Sequence, residues 1–360
     1  MTDHVHTKVR NGTGFITLDR PRTLNSLSLD MIRAITGALL AWRDDDDIAA
    51  VVIRSSTDKA LCAGGDIRFF HAAGGATPQG GSAQVEDFFT EEYALNYLVH
   101  CFPKPYVAMM DGVVMGGGMG IAQGGPQCGV RVVTDRTRLA MPEVNIGLFP
   151  DVGGSYFLSR APGKLGLYLA LTALAIGAAD ALYCGLADHY VPAAELPLLA
   201  DLVGSTAGAG LREAVAMFAR PLRGEAGPSE LQAHRALIDD HFAHRSVAGI
   251  VASLRRDDHP FAQNALAAIA RRSPLMQCVT AEMLRRGATM GIADCLRMER
   301  NLVRRAFEHG EVIEGVRALA IDKDHAPRWN PPSLEEVSDD TVARFFEPAW
   351  PAWAHPLRHL

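Results

Sequence analysis

Two regimes divide this chain of 360 residues, and the change between them near Pro162 limits what it can fold into. Before that point, short apolar runs rich in β-branched residues each end in a turn. Gly14 to Leu18 (GFITL), Ile48 to Ile53 (IAAVVI), Pro105 to Asp111 (PYVAMMD) and Cys128 to Val133 have this form. Runs of that length read as strands, and the almost wholly apolar one at 48–53 as a strand covered on both faces. Between the first two, Met31, Ile32, Ile35, Leu39 and Trp42 recur at helical spacing, which gives a strand, helix, strand order. After Pro162 the spacing predicts helices over 165–175, 178–184, 195–202, 212–219, 229–241, 261–271, 274–286, 292–309 and 314–320. Pro327, Pro331 and Pro332 then break the pattern, so the last stretch is expected to be irregular. The reading is an α/β fold with an extended helical C-terminal region, divided near residue 200 into a strand-bearing core, 1–200, and a helical part, 201–360.

Two strand-to-helix junctions expose backbone. In Ala60 to Arg68 (ALCAGGDIR), Gly64 and Gly65 precede a helix expected to start near Asp66, and the first amides of a helix have no internal partners. In Gly112 to Gly120 (GVVMGGGMG), a second glycine run follows the strand at 105–111, where bare backbone can approach a ligand closely. Tight helix-on-strand packing explains that second run equally well by itself. Two amide-presenting turns, each after a strand, suggest two donors converging on one oxygen. A mobile Gly/Pro-rich loop is expected at 74–82, then a helix over 85–100 carrying Glu91 and Glu92.

Met141 to Gly154 (MPEVNIGLFPDVGG) places two carboxylates, Glu143 and Asp151, in apolar and glycine-rich surroundings. Desolvation raises a carboxyl pKa, and two such groups near one substrate can divide acid and base roles. The alternative is that Asp151 caps a helix starting at Val152 or Gly153 while Glu143 pairs with Arg138. On this stretch alone both readings stand.

Several classes are disfavoured. A net charge of -6 with scattered basic residues provides no footprint for nucleic acid. The six cysteines lie far apart without a CxxC pair, as expected in a reducing compartment. The N-terminal MTDHVHTKVR has neither a signal-peptide core nor transit-peptide character, so a cytoplasmic location is expected. The longest uncharged apolar run, 165–179, is shorter than the roughly 18 residues that suggest a membrane span. There is no P-loop, GxGxxG or HExxH, and Ser155 fails the GxSxG pattern at its last place. The acid run Asp44 to Asp47 reads as a solvated turn. His241 and His244 lack partners with ligand-like spacing, so no metal site is expected, and the histidines show no obvious Ser-His-Asp set.

Taken together, ALCAGGDIR, MDGVVMGGGMG, MPEVNIGLFPDVGG and EGVRALAIDKDHAPRWNP resemble the 3-hydroxyisobutyryl-CoA hydrolase branch of the crotonase (enoyl-CoA hydratase/isomerase) superfamily, over nearly the whole chain. The first two motifs speak only for the superfamily; PDVGG and the EGVRA, IDKD and PRW elements are specific to the branch. The resemblance implies a spiral of strand-strand-helix turns, with the helical C-terminal region covering or joining subunits of a homo-oligomer. It implies an acyl-CoA substrate, with coenzyme A part of that substrate and no separate cofactor. Carried over by position, it makes the amides of Gly65 and Gly117 an oxyanion hole flanked by Gly64 and Gly116, Glu143 and Asp151 the catalytic acids, and Glu92 a lining residue of the acyl pocket. Arg68 and Lys323 are candidate cations for CoA phosphates, or ordinary surface charges. Hydratases of the superfamily carry a second glutamate where this chain has Gly120, and tend to have glycine where it has Asp151, so thioester hydrolysis, in valine catabolism, is expected over hydration. The alternatives are an enoyl-CoA isomerase using Glu143 alone and a non-catalytic acyl-CoA-binding subunit.

Overall fold

The computed structural model describes residues 2–77, 81–206 and 210–360. Among these described residues nine strands form two sheets: β1 (Val5–Arg10), β2 (Thr13–Leu18), β3 (Ala50–Ser55), β4 (Ala60–Cys62), β5 (Tyr106–Met110), β6 (Val113–Met115), β7 (Gly129–Val133), β8 (Arg138–Ala140) and β9 (His189–Tyr190). The larger sheet has the order β1-β2-β3-β5-β7-β9 and the smaller β4-β6-β8. The β1/β2 hairpin is antiparallel, and the pairings β2/β3, β3/β5, β4/β6, β5/β7, β6/β8 and β7/β9 are parallel. Consecutive strands alternate between sheets: β3, β5 and β7 enter the larger, and β4, β6 and β8 the smaller. This is the strand-strand-helix spiral expected of the superfamily.

The helices are α1 (Leu29–Arg43), α2 (Ile67–Gly75), α3 (Ala83–His100), α4 (Gly117–Ala122), α5 (Gly154–Phe157), α6 (Leu165–Thr172), α7 (Ala178–Tyr183), α8 (Leu196–Ser205) and α9 (Leu211–Ala219). They continue with α10 (Glu230–Ala233), α11 (Arg235–His241), α12 (Val247–Leu254), α13 (Pro260–Ile269), α14 (Pro274–Gly287), α15 (Ile292–His309), α16 (Glu311–Val316) and α17 (Asp339–Phe345). The expected loop at 74–82 falls partly on 78–80, outside the described residues.

The chain forms two compact units that interleave along the sequence: 1–65 with 94–140 and 175–232, and 66–93 with 141–174 and 233–360. They do not follow the expected cut at residue 200, because the chain passes from one unit to the other several times instead of finishing the first. The first unit holds both sheets. Its core sets Phe15, Val52, Val107, Val130 and Val132 of the larger sheet against Leu199, Val203, Leu211 and Val215 of α8 and α9. Burying such a side chain contributes about 1.5–3 kcal/mol. The second unit is helical, and aromatic contacts tie three of its helices together. Phe70 of α2 stands 4.8 Å from both Phe88 and Phe89 of α3, and Phe89 stands 5.8 Å from Phe307 of α15.

Candidate active site

In the first unit, the two glycine turns leave adjacent parallel strands at the same end. β4 runs into Gly64 and Gly65, and β6 into Gly116 and Gly117. Gly64 has φ +105, and a Cβ there would lie 3.2 Å from the Met115 carbonyl oxygen and 3.6 Å from the Gly117 nitrogen. Gly116, at φ 51 and ψ -121, turns the chain into α4, whose first residue is Gly117. Gly118 brings α4 against β4: a Cβ there would fall 2.2 Å from the Cys62 carbonyl oxygen. The helix-on-strand packing expected as the alternative is therefore present, and it is what brings the second turn beside the first. Among the described residues, neither the Gly65 nor the Gly117 amide donates a backbone hydrogen bond, so both are available to an oxygen acceptor.

Among the described residues of the second unit, five carboxyl groups are buried: Glu92 at 2% exposure, Glu143 at 6%, Asp151 at 4%, Glu299 at 0% and Glu311 at 2%, the last accepting from the Ser273 hydroxyl and the Asn330 amide. Glu92 comes from α3, Glu143 opens a 3-10 turn (Glu143–Ile146), Asp151 precedes α5 and Glu299 lies on α15. Asp151 does not cap α5 with its side chain. Its Oδ2 accepts a hydrogen bond from the Tyr93 hydroxyl at 2.6 Å. Glu299 does the capping instead: Oε2 accepts from the Gly153 amide and Oε1 from the Ser155 amide, each at 2.8 Å, and Oε1 also accepts from the Ser155 hydroxyl at 2.5 Å. Between Asp151 and the helix, Val152 has φ +52 and Gly153 φ +91. For a β-branched residue that conformation costs roughly 1–3 kcal/mol and must be held by its surroundings. Glu143 does not pair with Arg138, whose guanidinium donates to the Thr137 carbonyl at 2.8 Å.

These surroundings shift the acids upward. Burial raises Asp151 to about 7, with the Tyr93 hydrogen bond pulling the other way. Burial first, and then the Asp151 charge, push Glu92 and Glu143 well above the usual carboxylate range. Glu299 rises to about 8 through burial, opposed by its bonds from Ser155 and Gly153. Among the described residues, Glu92 Oε1 and Glu143 Oε2 have no hydrogen-bond partner. A buried carboxyl oxygen without a partner carries a desolvation cost that a ligand can relieve. Acids shifted upward by burial, beside one that ionises near neutral pH, can divide proton donation and acceptance between them.

Sequence reasoning missed two partners here. Tyr93 directly follows Glu92 in EEYALN, so a phenol next to a candidate acid on the same helix was available as a signal. Glu299 sits 146 residues from Gly153 and had none. The two candidate cations lie in the second unit, both exposed: Arg68 in the first turn of α2, and Lys323, at φ +57, beyond α16. The EGVRALAIDKD segment around Lys323 is fixed by Arg317, which donates to Glu314, Asp322 and Asp324 at 2.7 to 2.9 Å. Elsewhere in this unit the fold does assemble one Ser-His-Asp set. His241 Nδ1 lies 2.8 Å from the Ser253 hydroxyl and Nε2 2.8 Å from Asp257 Oδ2. Ser253 sits in the last turn of α12, where the helix's own backbone amides are committed to its internal hydrogen bonds. The set links α11 to the end of α12. Among the described residues no group of three or more histidine, cysteine, aspartate or glutamate side chains is placed to hold a metal ion, and no helix is long and apolar enough to cross a membrane.

The model of the enoyl-CoA hydratase/isomerase family matches residues 13–346. Among curated proteins, the chain is 40% identical to the mitochondrial 3-hydroxyisobutyryl-CoA hydrolase of Gallus gallus, over 94% of this chain and 87% of that one. It is 38% identical to the enzyme of that name from Homo sapiens, over 93% and 86%. Among solved structures, it is similar to a carnitinyl-CoA dehydratase from Mycobacterium thermoresistibile, with a TM-score of 0.89, 39% identity and coverage of 97% and 98%. An enoyl-CoA hydratase from Rhodobacter sphaeroides 2.4.1 matches with a TM-score of 0.85 at 36% identity, over 96% and 98%. The spiral of paired strands, the glycine turns and this extent of likeness agree: the chain belongs to the enoyl-CoA hydratase/isomerase family, in its 3-hydroxyisobutyryl-CoA hydrolase branch.

Proposed function

We propose that the protein hydrolyses the thioester of 3-hydroxyisobutyryl-CoA, with 3-hydroxypropionyl-CoA as a second substrate, releasing the free hydroxy acid and CoA in valine catabolism. The observation that carries this reading is the buried acid cluster, in which Glu92 and Glu143 each keep an oxygen unpartnered. The curated relatives named for this reaction support the choice of substrate. In the proposed reaction the amides of Gly65 and Gly117, next to Gly64 and Gly116, hold the thioester oxygen as the carbonyl becomes tetrahedral. One such donor contributes about 2.7 to 4 kcal/mol. Glu143 activates water as general base, or attacks the carbonyl to give a mixed anhydride that water then cleaves. The carbon–sulfur bond breaks, and Asp151, with Glu92 at the 3-hydroxyl, assists proton transfer to the departing thiolate. Arg68 and Lys323 are assigned to the CoA phosphates. No cofactor beyond the CoA of the substrate enters this scheme, and the chain is proposed to act in the cytoplasm as a homo-oligomer, its helical C-terminal region at the subunit contact. The vertebrate relatives carry "mitochondrial" in their names, so cell fractionation tests the location and light scattering the assembly.

One observation favours a second division of labour. Asp151 lies at about 7, and its charge pushes Glu143 upward. In that reading Asp151 is the base and Glu143 the proton donor. Single turnover in ¹⁸O-labelled water, followed by mass spectrometry of product and peptides, tests the anhydride route. Label in a carboxylate side chain marks that residue as a nucleophile whose anhydride water cleaved at the enzyme carboxyl; a general base, or cleavage at the substrate carbonyl, leaves both carboxylates unlabelled.

Thiol release tests the function itself, with 3-hydroxyisobutyryl-CoA, 3-hydroxypropionyl-CoA and crotonyl-CoA compared side by side. Release from the hydroxyacyl substrates alone supports hydrolysis. Loss or gain of the enoyl chromophore without thiol release would replace it with the hydratase, dehydratase or isomerase reading, and binding without turnover with the silent-subunit reading.

A further inference from the structure

Glu299 is fully buried, and its carboxylate is committed to one short stretch of chain: the Gly153 amide, the Ser155 amide and the Ser155 hydroxyl. That stretch follows Asp151 directly, across the positive-φ residues Val152 and Gly153. A valine keeps such a conformation only where its surroundings hold it. The same stretch is closed in by α14, since a Cβ on Gly287 would fall 2.3 Å from the Ser155 carbonyl oxygen. The next residue on α15 reaches the other acid-bearing element. Arg300 donates to Thr90 at 3.0 Å and to the Glu86 carboxylate, both on α3, the helix that carries Glu92 and Tyr93. One helix is thus bonded to the turn after Asp151 and to the helix whose Tyr93 donates to Asp151.

We propose that Glu299 is a positioning residue for the acid cluster, holding the 152–155 turn in the conformation that keeps Asp151 at the Tyr93 hydroxyl. The inference rests on the reading of Asp151 as a catalytic acid. Ser155, which failed the nucleophile pattern, acquires a role through it as a donor that secures Glu299.

The test compares kcat and KM for thiol release from 3-hydroxyisobutyryl-CoA in the full-length wild type, E299A, E299Q and D151N, per folded molecule by size-exclusion chromatography and circular dichroism. Misplacing a reacting group by an ångström costs up to about 100-fold in rate, so E299A should lose about 10- to 100-fold in kcat. KM should stay within about threefold, because the lost interaction does not bind substrate. E299Q keeps the size and one accepting oxygen and should fall between E299A and wild type. Wild-type kcat in folded E299A, with D151N inactive, overturns the inference alone. Wild-type kcat in D151N overturns the reading of Asp151 and the inference with it. If E299A does not fold, E299Q decides: reduced kcat at unchanged KM supports positioning, and unchanged kcat with only a lowered Tm assigns Glu299 to stability and overturns it.

Discussion

The Tyr93 hydroxyl and Asp151 Oδ2 stand 2.6 Å apart, 58 residues separated in sequence and both buried. Burial and the Asp151 charge push the tyrosine upward, so it stays protonated and acts as the donor. The same bond holds Asp151 below where burial alone would put it.

Removing that donor in Tyr93→Phe therefore raises Asp151 further. A hydrogen bond to a charged group contributes about 1.5–3 kcal/mol, equivalent to roughly one to two pH units. The limb of the pH–rate profile that reports Asp151 should move to higher pH by that amount. A limb that stays in place would separate Asp151 from the rate-determining proton transfer.

Glu143→Gln and Asp151→Asn should each lower kcat by about 100- to 10,000-fold, the range of general acid–base contributions. CoA affinity, measured by calorimetry, should stay close to that of the wild type in both. Wild-type turnover in Glu143→Gln would remove that residue from the mechanism.

The burial of Asp151 also sets a direction for stability. Its pKa is about 7 in the folded protein against 3.8 for the free group, so between these values the folded state binds more protons than the unfolded one. Stability then falls as pH rises through that window, by up to the order of 4 kcal/mol. Asp151→Asn should remove this part of the slope and give a higher urea midpoint than the wild type at pH 8, with little difference at pH 4. Equal midpoints at pH 8 would contradict the burial cost.

Gly64→Ala tests the first amide turn. The residue has φ +105, and the new Cβ would sit 3.2 Å from the Met115 carbonyl oxygen. Relief of that contact shifts the 64–65 turn, and losing one oxyanion donor corresponds to about 100- to 1,000-fold in kcat. The loss should appear in kcat for folded protein, with thermal unfolding measured in parallel.

Much of the fold was legible because its signals are local. β2, β3, β5 and β7 and helices α1, α3 and α15 lie where apolar runs and helical spacing place them. The three-residue strands β4, β6 and β8 were not read, being too short to show a period, although they form the sheet from which both glycine turns leave. β1 was missed for another reason: five of its six residues are exposed, so it lacks the apolar run that marks a buried strand. The expected helix over 229–241 is broken into α10 and α11, and the irregular tail holds one helix, α17. Ser338 caps α17 by accepting from the Thr341 amide, a short-range device that apolar spacing does not reveal.

The sequence by itself determined which residues are candidates for chemistry: the glycines of two turns and the acids of MPEVNIGLFPDVGG by residue type in a local setting, and the glutamate of EEYALN through the family resemblance. Only the tertiary structure decided what those acids are. A glutamate is an ordinary carboxylate until burial raises its pKa and a neighbour donates or withholds a hydrogen bond, and both depend on segments far away in the chain. Asp151 takes its proton affinity from burial and from Tyr93, and the turn that follows it is capped by Glu299, 146 residues beyond Gly153. Desolvation is a property of everything packed around a group, so no window of sequence contains it.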